Sequence, residues 1–447
     1  MKRDLTQGNI LKELLPFSIP MIFGNLLQQI YNITDTIIVG RFIGADALAS
    51  VGASYTLMTF LTSVIIGLCM GCGSLFSMLY GAHKIDEMKQ SMWTAFWMIL
   101  LVTIIIYIII FPGTNHLLHL LQIPSGIYTM MRSYIQIIFI GLGFTFLYNY
   151  FAFIMRATGN SVTPLIFLLI STCINIGLDL WFVIGLDLGI TGAAKATVIA
   201  QGVSGIGIMI YAFCKTPLLC LSKKHRRLNA NMIKNVGKYA FITCIQQSVM
   251  NFGILMIQGL VNSFGTIIMA AFAAAVKIDT LAYMPAQEFG NAFSLFISQN
   301  HGAGKSDRVE KGIKLSVLVS VLFCICISFI VCIFAKPFLR IFVNANETAI
   351  IAEGIRYLHI EGAFYCGIGC LFLLYGLYRA IEKPEMSLIL TVISLGTRVF
   401  LSYLLAPRTS LGVTAIWCSI PIGWLLADLI GFFYYIKMRK QSKRFDS

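Results

Sequence analysis

Asp35, Asp179, Lys195, Lys277, Asp279, Glu288, Glu361 and Arg398 stand inside long apolar runs of this chain. A charge placed in hydrocarbon costs about 2.5–3.5 kcal/mol on insertion scales, so each is a functional candidate by default. Asn175 and Asp179 are four residues apart and share a helix face. Counted along their helices at about 1.5 Å per residue, Asp35, Asp179 and Thr197 fall at a similar depth. Two carboxyls with an amide and a hydroxyl make a hard, oxygen-rich set that suits a proton or Na⁺. Two carboxyls at close range in a low dielectric cannot both ionise easily, which is the chemistry of a proton switch. The plainer alternative is that Asp35 and Asp179 only hydrogen-bond across helices to hold them together. Lys195 offers another, as a neutralising cation. It lies two residues before Thr197, however, so it points to roughly the opposite face and is expected to snorkel outward.

A second set comprises Lys277, Asp279, Glu361 and Arg398, whose formal charges sum to zero. One reading is a self-neutralising ion-pair network; the sharper one is contact with a substrate or relay of a conformational change. Glu288 lies deeper, and its role stays open. Gln28, Tyr31, Gln246 and Met256 fall on candidate cleft helices and are further substrate or gating candidates. Methionines adapt to flat apolar ligands, though they serve equally as lipid-facing residues. Pro20 and Pro285 free backbone carbonyls and permit kinks. His116-x-x-His119 has metal-like spacing but is read as an outside loop lacking a third ligand. Cys69-x-x-Cys72 lies mid-helix without a second pair. Neither indicates a metal, and no disulfide framework or cofactor is expected.

The elements that must position these groups follow from composition. Of 447 residues, 58% are apolar and 12% charged, against about 25% charged in soluble domains. The solvent is therefore lipid. Twelve apolar runs are expected as spans, roughly 14–39, 48–79, 92–112, 134–155, 164–186, 189–214, 239–262, 266–299, 313–335, 355–381, 386–406 and 411–436. Several exceed 25 residues and must tilt or extend past the lipid. The amino terminus, MKRDLTQGNILKELL, has no small-residue cleavage site, so the first helix is expected to be retained. The net charge of +14 would suggest nucleic acid in a soluble protein. Here the cations concentrate in loops without aromatic-spaced basic stripes, which argues against a nucleic-acid partner. With the amino terminus inside, 24 Lys and Arg fall on the inner side and six on the outer. That asymmetry places both termini in the cytoplasm.

The chain repeats itself. Gln28-Gln29 recurs as Gln246-Gln247, and Gly81-Ala82 with Asp86 recurs as Gly302-Ala303 with Asp307. Arg156-Ala157 recurs as Arg379-Ala380, and Leu188-Gly189-Ile190-Thr191 as Leu411-Gly412-Val413-Thr414. The offsets, 218, 221, 223 and 223, are nearly constant. An all-α membrane protein of twelve transmembrane helices in two pseudo-symmetric six-helix lobes is expected, 1–214 and 239–447, with a cytoplasmic linker at 215–238. Halves with an even number of spans begin on the same side and are related by an axis along the membrane normal, a plan for alternating access. No phosphate-binding loop is present: Gly302-Ala303-Gly304-Lys305 has Asn300 where the upstream glycine belongs. A nucleophile–base pair or metal triad within the spans is lacking as well, which argues against a membrane enzyme.

These residues together resemble the multidrug and toxic compound extrusion (MATE) family, most nearly its DinF-like branch. The resemblance rests on the two halves, the paired glutamines and the Gly-Ala-x-x-x-Asp loops. It implies that Asp35, Asn175, Asp179 and Thr197 form a cation site. It also places Pro20 at a bend of the first helix and Tyr134 on an outer tyrosine of the fourth. Lys195 departs from the family pattern, and the charged second-half residues do not map onto the acidic sites of the other branch. The expected activity is a monomeric antiporter of the cell membrane. It would exchange H⁺ or Na⁺ for small organic, amphipathic, cationic compounds. The alternative is a flippase of lipid-linked sugars, which wants a strongly cationic cleft.

Overall fold

A computed structural model describes residues 3–120, 125–216, 219 and 221–445. Lys2 and linker residues 217, 218 and 220 lie outside them, and of Lys443 and Arg444 only the backbone is described. The chain divides into two units, Met1–Cys244 and Ile245–Ser447. No strand occurs among the described residues.

The first unit holds α1 (Ile10–Phe42), α2 (Ala45–Gly81), α3 (Ile85–Leu120), α4 (Ser125–Ile140), α5 (Leu142–Ala157), α6 (Val162–Asp179) and α7 (Gly189–Lys215). A π-helical turn, Leu180–Gly185, prolongs α6, and a 3₁₀ turn, Lys223–Arg226, follows α7. The boundary between the units falls inside α8 (Ala230–Asn262). The second unit continues with α9 (Thr266–Gly302), α10 (Ser306–Phe342), α11 (Thr348–Gly362), α12 (Tyr365–Ala380), α13 (Pro384–Leu405) and α14 (Val413–Phe445). Among the described residues ten helices are long and apolar enough to cross a membrane, or up to twelve if each of two bent pairs, α4 with α5 at 40° and α11 with α12 at 51°, is one span.

Helices up to 37 residues long overshoot the apolar runs that mark them. Arg132, counted on the outer side ahead of the run 134–155, lies on α4, and Arg356 lies on α11. His116 and His119 lie on α3, and the His119 ring packs 5.5 Å from Tyr128.

The repeat is written in the backbone as well as in the side chains. Positive φ occurs at Gly44 and Gly265 (122° and 98°), His83 and Gly304 (57° and 68°), Gly159 and Glu382 (85° and 63°), and Gly189 and Gly412 (56° and 50°). Each pair is separated by one of the repeat's offsets. Two of the pairs close helices in the same way. Lys84 donates to the Leu79 carbonyl at 3.0 Å and Lys305 to that of Asn300 at 3.0 Å. Asn160 and Lys383 donate to the carbonyls of Met155 and Tyr378, each at 2.9 Å. These bonds reach back five residues, over a left-handed residue that satisfies the last carbonyls of the helix. The Gly-Ala-x-x-x-Asp loops are thus helix stops with their sequel.

Within the first unit, α1 packs on α6, α6 on α7, α7 on α4 and α5, and α5 on α2. Within the second, α9 packs on α10, α11 and α12, and α13 on α12 and α14. Small residues permit these approaches, as expected where lipid removes any hydrophobic drive for helices to associate. A Cβ on Gly376 of α12 would lie 2.6 Å from the Gly290 carbonyl oxygen of α9. Gly376→Ala should therefore destabilise the detergent-solubilised protein by about 1–3 kcal/mol, read as a lower melting temperature. Gly396→Ala meets no neighbour within 4 Å and should be neutral or stabilising. A left-handed conformation costs a non-glycine residue about 1–2 kcal/mol. His83→Gly should recover about 1 kcal/mol of that, seen as a raised melting temperature, whereas no gain would mean that His83 makes a compensating contact.

Candidate ion and substrate sites

Asp35 lies in the outer part of α1, 6% exposed, and Asn175 and Asp179 on α6 are fully buried. Thr197 on α7 is 5% exposed. The packing of α6 between α1 and α7 brings the four together. Asp179 stands within electrostatic reach of Asp35 and faces Asn175 one helical turn below it. The Tyr31 hydroxyl donates to the Thr197 oxygen at 3.1 Å. Tyr31 and Tyr134 both lie within reach of Asp35 and Asp179. Lys195 is exposed, so its ammonium leaves the pocket's charge uncompensated.

The pocket is unsatisfied. Asp35 Oδ1, both carboxylate oxygens of Asp179 and both polar atoms of the Asn175 amide are buried without a well-formed hydrogen bond, Asn175 making at most a long contact to Asp179. Buried polar groups ordinarily find partners, and each one left without costs about 1–3 kcal/mol. Three orphaned carboxylate oxygens, an amide oxygen and a hydroxyl fit a hard cation or a proton with bound water. The α-helix gives way to the π turn directly after Asp179, and π-helical turns are frequent at functional sites.

The second unit gathers part of its expected set. Asp279 on α9 lies within reach of Glu361, Tyr357, Tyr365 and Arg398. Glu361 is the penultimate residue of α11, immediately ahead of the 51° break. Asp279 Oδ1, Glu361 Oε1, the Tyr365 hydroxyl and Arg398 Nε are buried without a well-formed hydrogen bond, although Asp279, Glu361 and Tyr365 lie close enough to one another to interact. Lys277 is not part of this cluster. Its ammonium lies 5.8 Å from the centre of the Phe342 ring and is exposed, because two residues along a helix turn it off the Asp279 face. The expected self-neutralising quartet is thus corrected to two acids with one guanidinium. Trp417 closes the cluster, edge-on to Tyr357 at 4.9 Å and stacked on Phe272 at 5.4 Å.

The remaining candidates are dispersed. Pro20 lies inside α1, Gln28 is exposed, and Gln246 is 3% exposed with its Oε1 unpartnered. Met256 is exposed, and its carbonyl accepts from the Tyr403 hydroxyl at 3.3 Å. Glu288 accepts from the Asn291 amide at 3.3 Å, and Asn291 in turn accepts from Arg379 at 3.1 Å, which gives it a structural tie. Asp428 on α14 escaped the sequence reading. Its Oδ1 is buried and unpartnered, and Cys370 and Tyr375 stand beside it. The signal was present, since an acid inside the last apolar run meets the criterion that singled out Asp35.

Known proteins bear on this geometry. The MatE family model matches residues 20–181 and 239–404. The probable multidrug resistance protein YpnP of Bacillus subtilis is 30% identical over 97% of this chain and 96% of its own. The probable multidrug resistance protein NorM of Thermotoga maritima is 25% identical over 94% of this chain and 90% of its own. Among solved structures, MATE in a bent conformation superposes with TM-score 0.92 at 21% identity, covering 99% of this chain and 98% of that one. A MOP superfamily transporter from Pyrococcus furiosus, described as having reversed binding-pocket polarity, gives 0.91 at 21% identity over 97% of each chain. The likeness to solved structures concerns the fold; the family match extends through both halves, and the chain belongs to the MATE family of multi-pass membrane transporters, which are not enzymes and need no cofactor.

Proposed function

We propose that the protein is a secondary antiporter of the DinF-like branch that exports small organic, amphipathic, cationic compounds in exchange for H⁺ or Na⁺. The printed names of its relatives, multidrug resistance and multidrug export proteins, support the substrate class. The observation that carries the coupling reading is the set of buried oxygens on Asp35, Asn175 and Asp179 that lack a well-formed hydrogen bond. A proton or Na⁺ satisfies them, and Thr197 supplies a further oxygen. When the ion leaves, the same carboxylates attract an organic cation, so occupation by one disfavours the other and the two fluxes are linked. The acidic character of the pocket, with Lys195 outside it, speaks against a pyrophosphate-carrying substrate. The balance of Lys and Arg supports a cell-membrane orientation with both termini in the cytoplasm.

The test is dye export from everted vesicles with H⁺ and Na⁺ gradients imposed separately. At least one gradient should drive export in the wild type. The Asp35→Asn, Asp179→Asn double variant should lose tenfold or more of gradient-driven export at equal abundance; undiminished export would defeat the coupling reading. A structural role predicts something else. If Asp179 braced α6, Asp179→Asn would cost roughly 1–3 kcal/mol. A coupling role predicts a melting temperature no lower than the wild type's in Na⁺-free detergent, because the variant removes a buried carboxyl whose only protein contact is a long one to Asn175.

A further inference from the structure

The linker after α7 is fastened to the start of α3 by a small polar clamp. Lys224 Nζ lies 2.7 Å and His225 Nε2 2.8 Å from the two oxygens of Asp86. The Ser222 amide donates to His225 Nδ1 at 3.0 Å, so Nδ1 is an acceptor and Nε2 carries the proton given to Asp86. The neutral imidazole is therefore sufficient for the clamp. His225 is 3% exposed, and the Ser91 hydroxyl lies 3.0 Å from Met232 Sδ as a second tie. The 3₁₀ turn is held rigidly by side chains rather than left as a free loop.

What the clamp presents is cationic. Lys223, Arg226 and Arg227 are exposed, and none has a carboxylate partner among the described residues. Arg226 lies along α3. Its guanidinium lies 5.8 Å from the centre of the Trp93 ring, about 12 Å along α3 from Ile85. Trp93 and Trp97 meet edge to face at 5.5 Å, and Trp97 is 46% exposed. Exposed tryptophan on a membrane helix marks the level of the headgroups, and Leu228 and Ile233 beside the turn are 61% and 43% exposed. A planar guanidinium at that level, backed by an indole and flanked by two more cations, matches a phosphate ester in charge and geometry.

We infer that Lys223, Arg226 and Arg227, set by the Asp86 clamp over the Trp93–Trp97 pair, form a binding site for the headgroup phosphate of an anionic phospholipid. The inference rests on the membrane reading but not on the coupling reading, so either can fail alone.

The experiment titrates the detergent-solubilised full chain with phosphatidylglycerol or phosphatidylcholine carrying brominated acyl chains and follows quenching of tryptophan fluorescence. Phosphatidylglycerol should bind at least tenfold more tightly than phosphatidylcholine. Arg226→Gln, Arg227→Gln should weaken phosphatidylglycerol by about thirtyfold. Lys437→Gln, Lys440→Gln removes equal charge at the carboxyl end and should change it less than twofold. Equal loss in both double variants would overturn the site in favour of diffuse attraction. Asp86→Asn separates the two further, because it makes the surface more positive while releasing the clamp. Weaker binding supports a built site; tighter binding overturns it. Inorganic phosphate matching phosphatidylglycerol in affinity would overturn the lipid assignment. Unchanged melting temperatures certify that each variant is folded.

Discussion

Hydrocarbon offers no hydrogen bonds, and that single deficit explains which parts of this protein are regular and which are not. Away from water every backbone amide must find a partner within its own segment, so the spans are helices. The departures are correspondingly informative. The π turn follows Asp179, and the break between α11 and α12 follows Glu361. Each irregularity adjoins a buried acid with carboxyl oxygen that lacks a well-formed hydrogen bond. The backbone at both places stays hydrogen-bonded, so it is the neighbouring carboxyl that a ligand could satisfy.

The repeat shows which features duplication has preserved. Positions that need a left-handed backbone recur in both halves at the same offsets, although glycine is not always kept: His83 answers Gly304 and Glu382 answers Gly159. The conformation survives the loss of the residue that adopts it most cheaply. The reason is geometric, since the bond reaching back five residues ends one helix and aims the next. Losing it would redirect a following helix of 18 to 37 residues.

Much of this was legible beforehand because lipid imposes strong patterns. The twelve apolar runs correspond to ten continuous helices, α10 kinked at Phe334, and two bent pairs, and α6 packs between α1 and α7, the helices that carry the other polar residues of the first unit. Helix ends were less legible. Hydropathy marks where lipid begins, not where the helix stops, so α4 and α11 start well before their apolar runs. The bends were invisible, since neither Gly141 nor the Ala363-Phe364 step differs from ordinary glycine or alanine in such a composition. Lys277 was misplaced for another reason. Charge summation treats residues two apart as neighbours, whereas a helix sends them to different faces.

The two units share a backbone plan but not an electrostatic one. The first buries two acids with no cation beside them, Lys195 being turned out. The second buries two acids within reach of Arg398. A guanidinium is always charged and cannot leave, so it permanently offsets one carboxylate there. In the first unit only a mobile ion can do so. The two buried acids of the first unit thus lack a fixed counter-charge, whereas Asp279 and Glu361 share one and Asp428 on α14 stands apart from it. Duplication has therefore kept the helix caps, which set where each span begins and ends, while the interior charge of the two halves has been free to diverge.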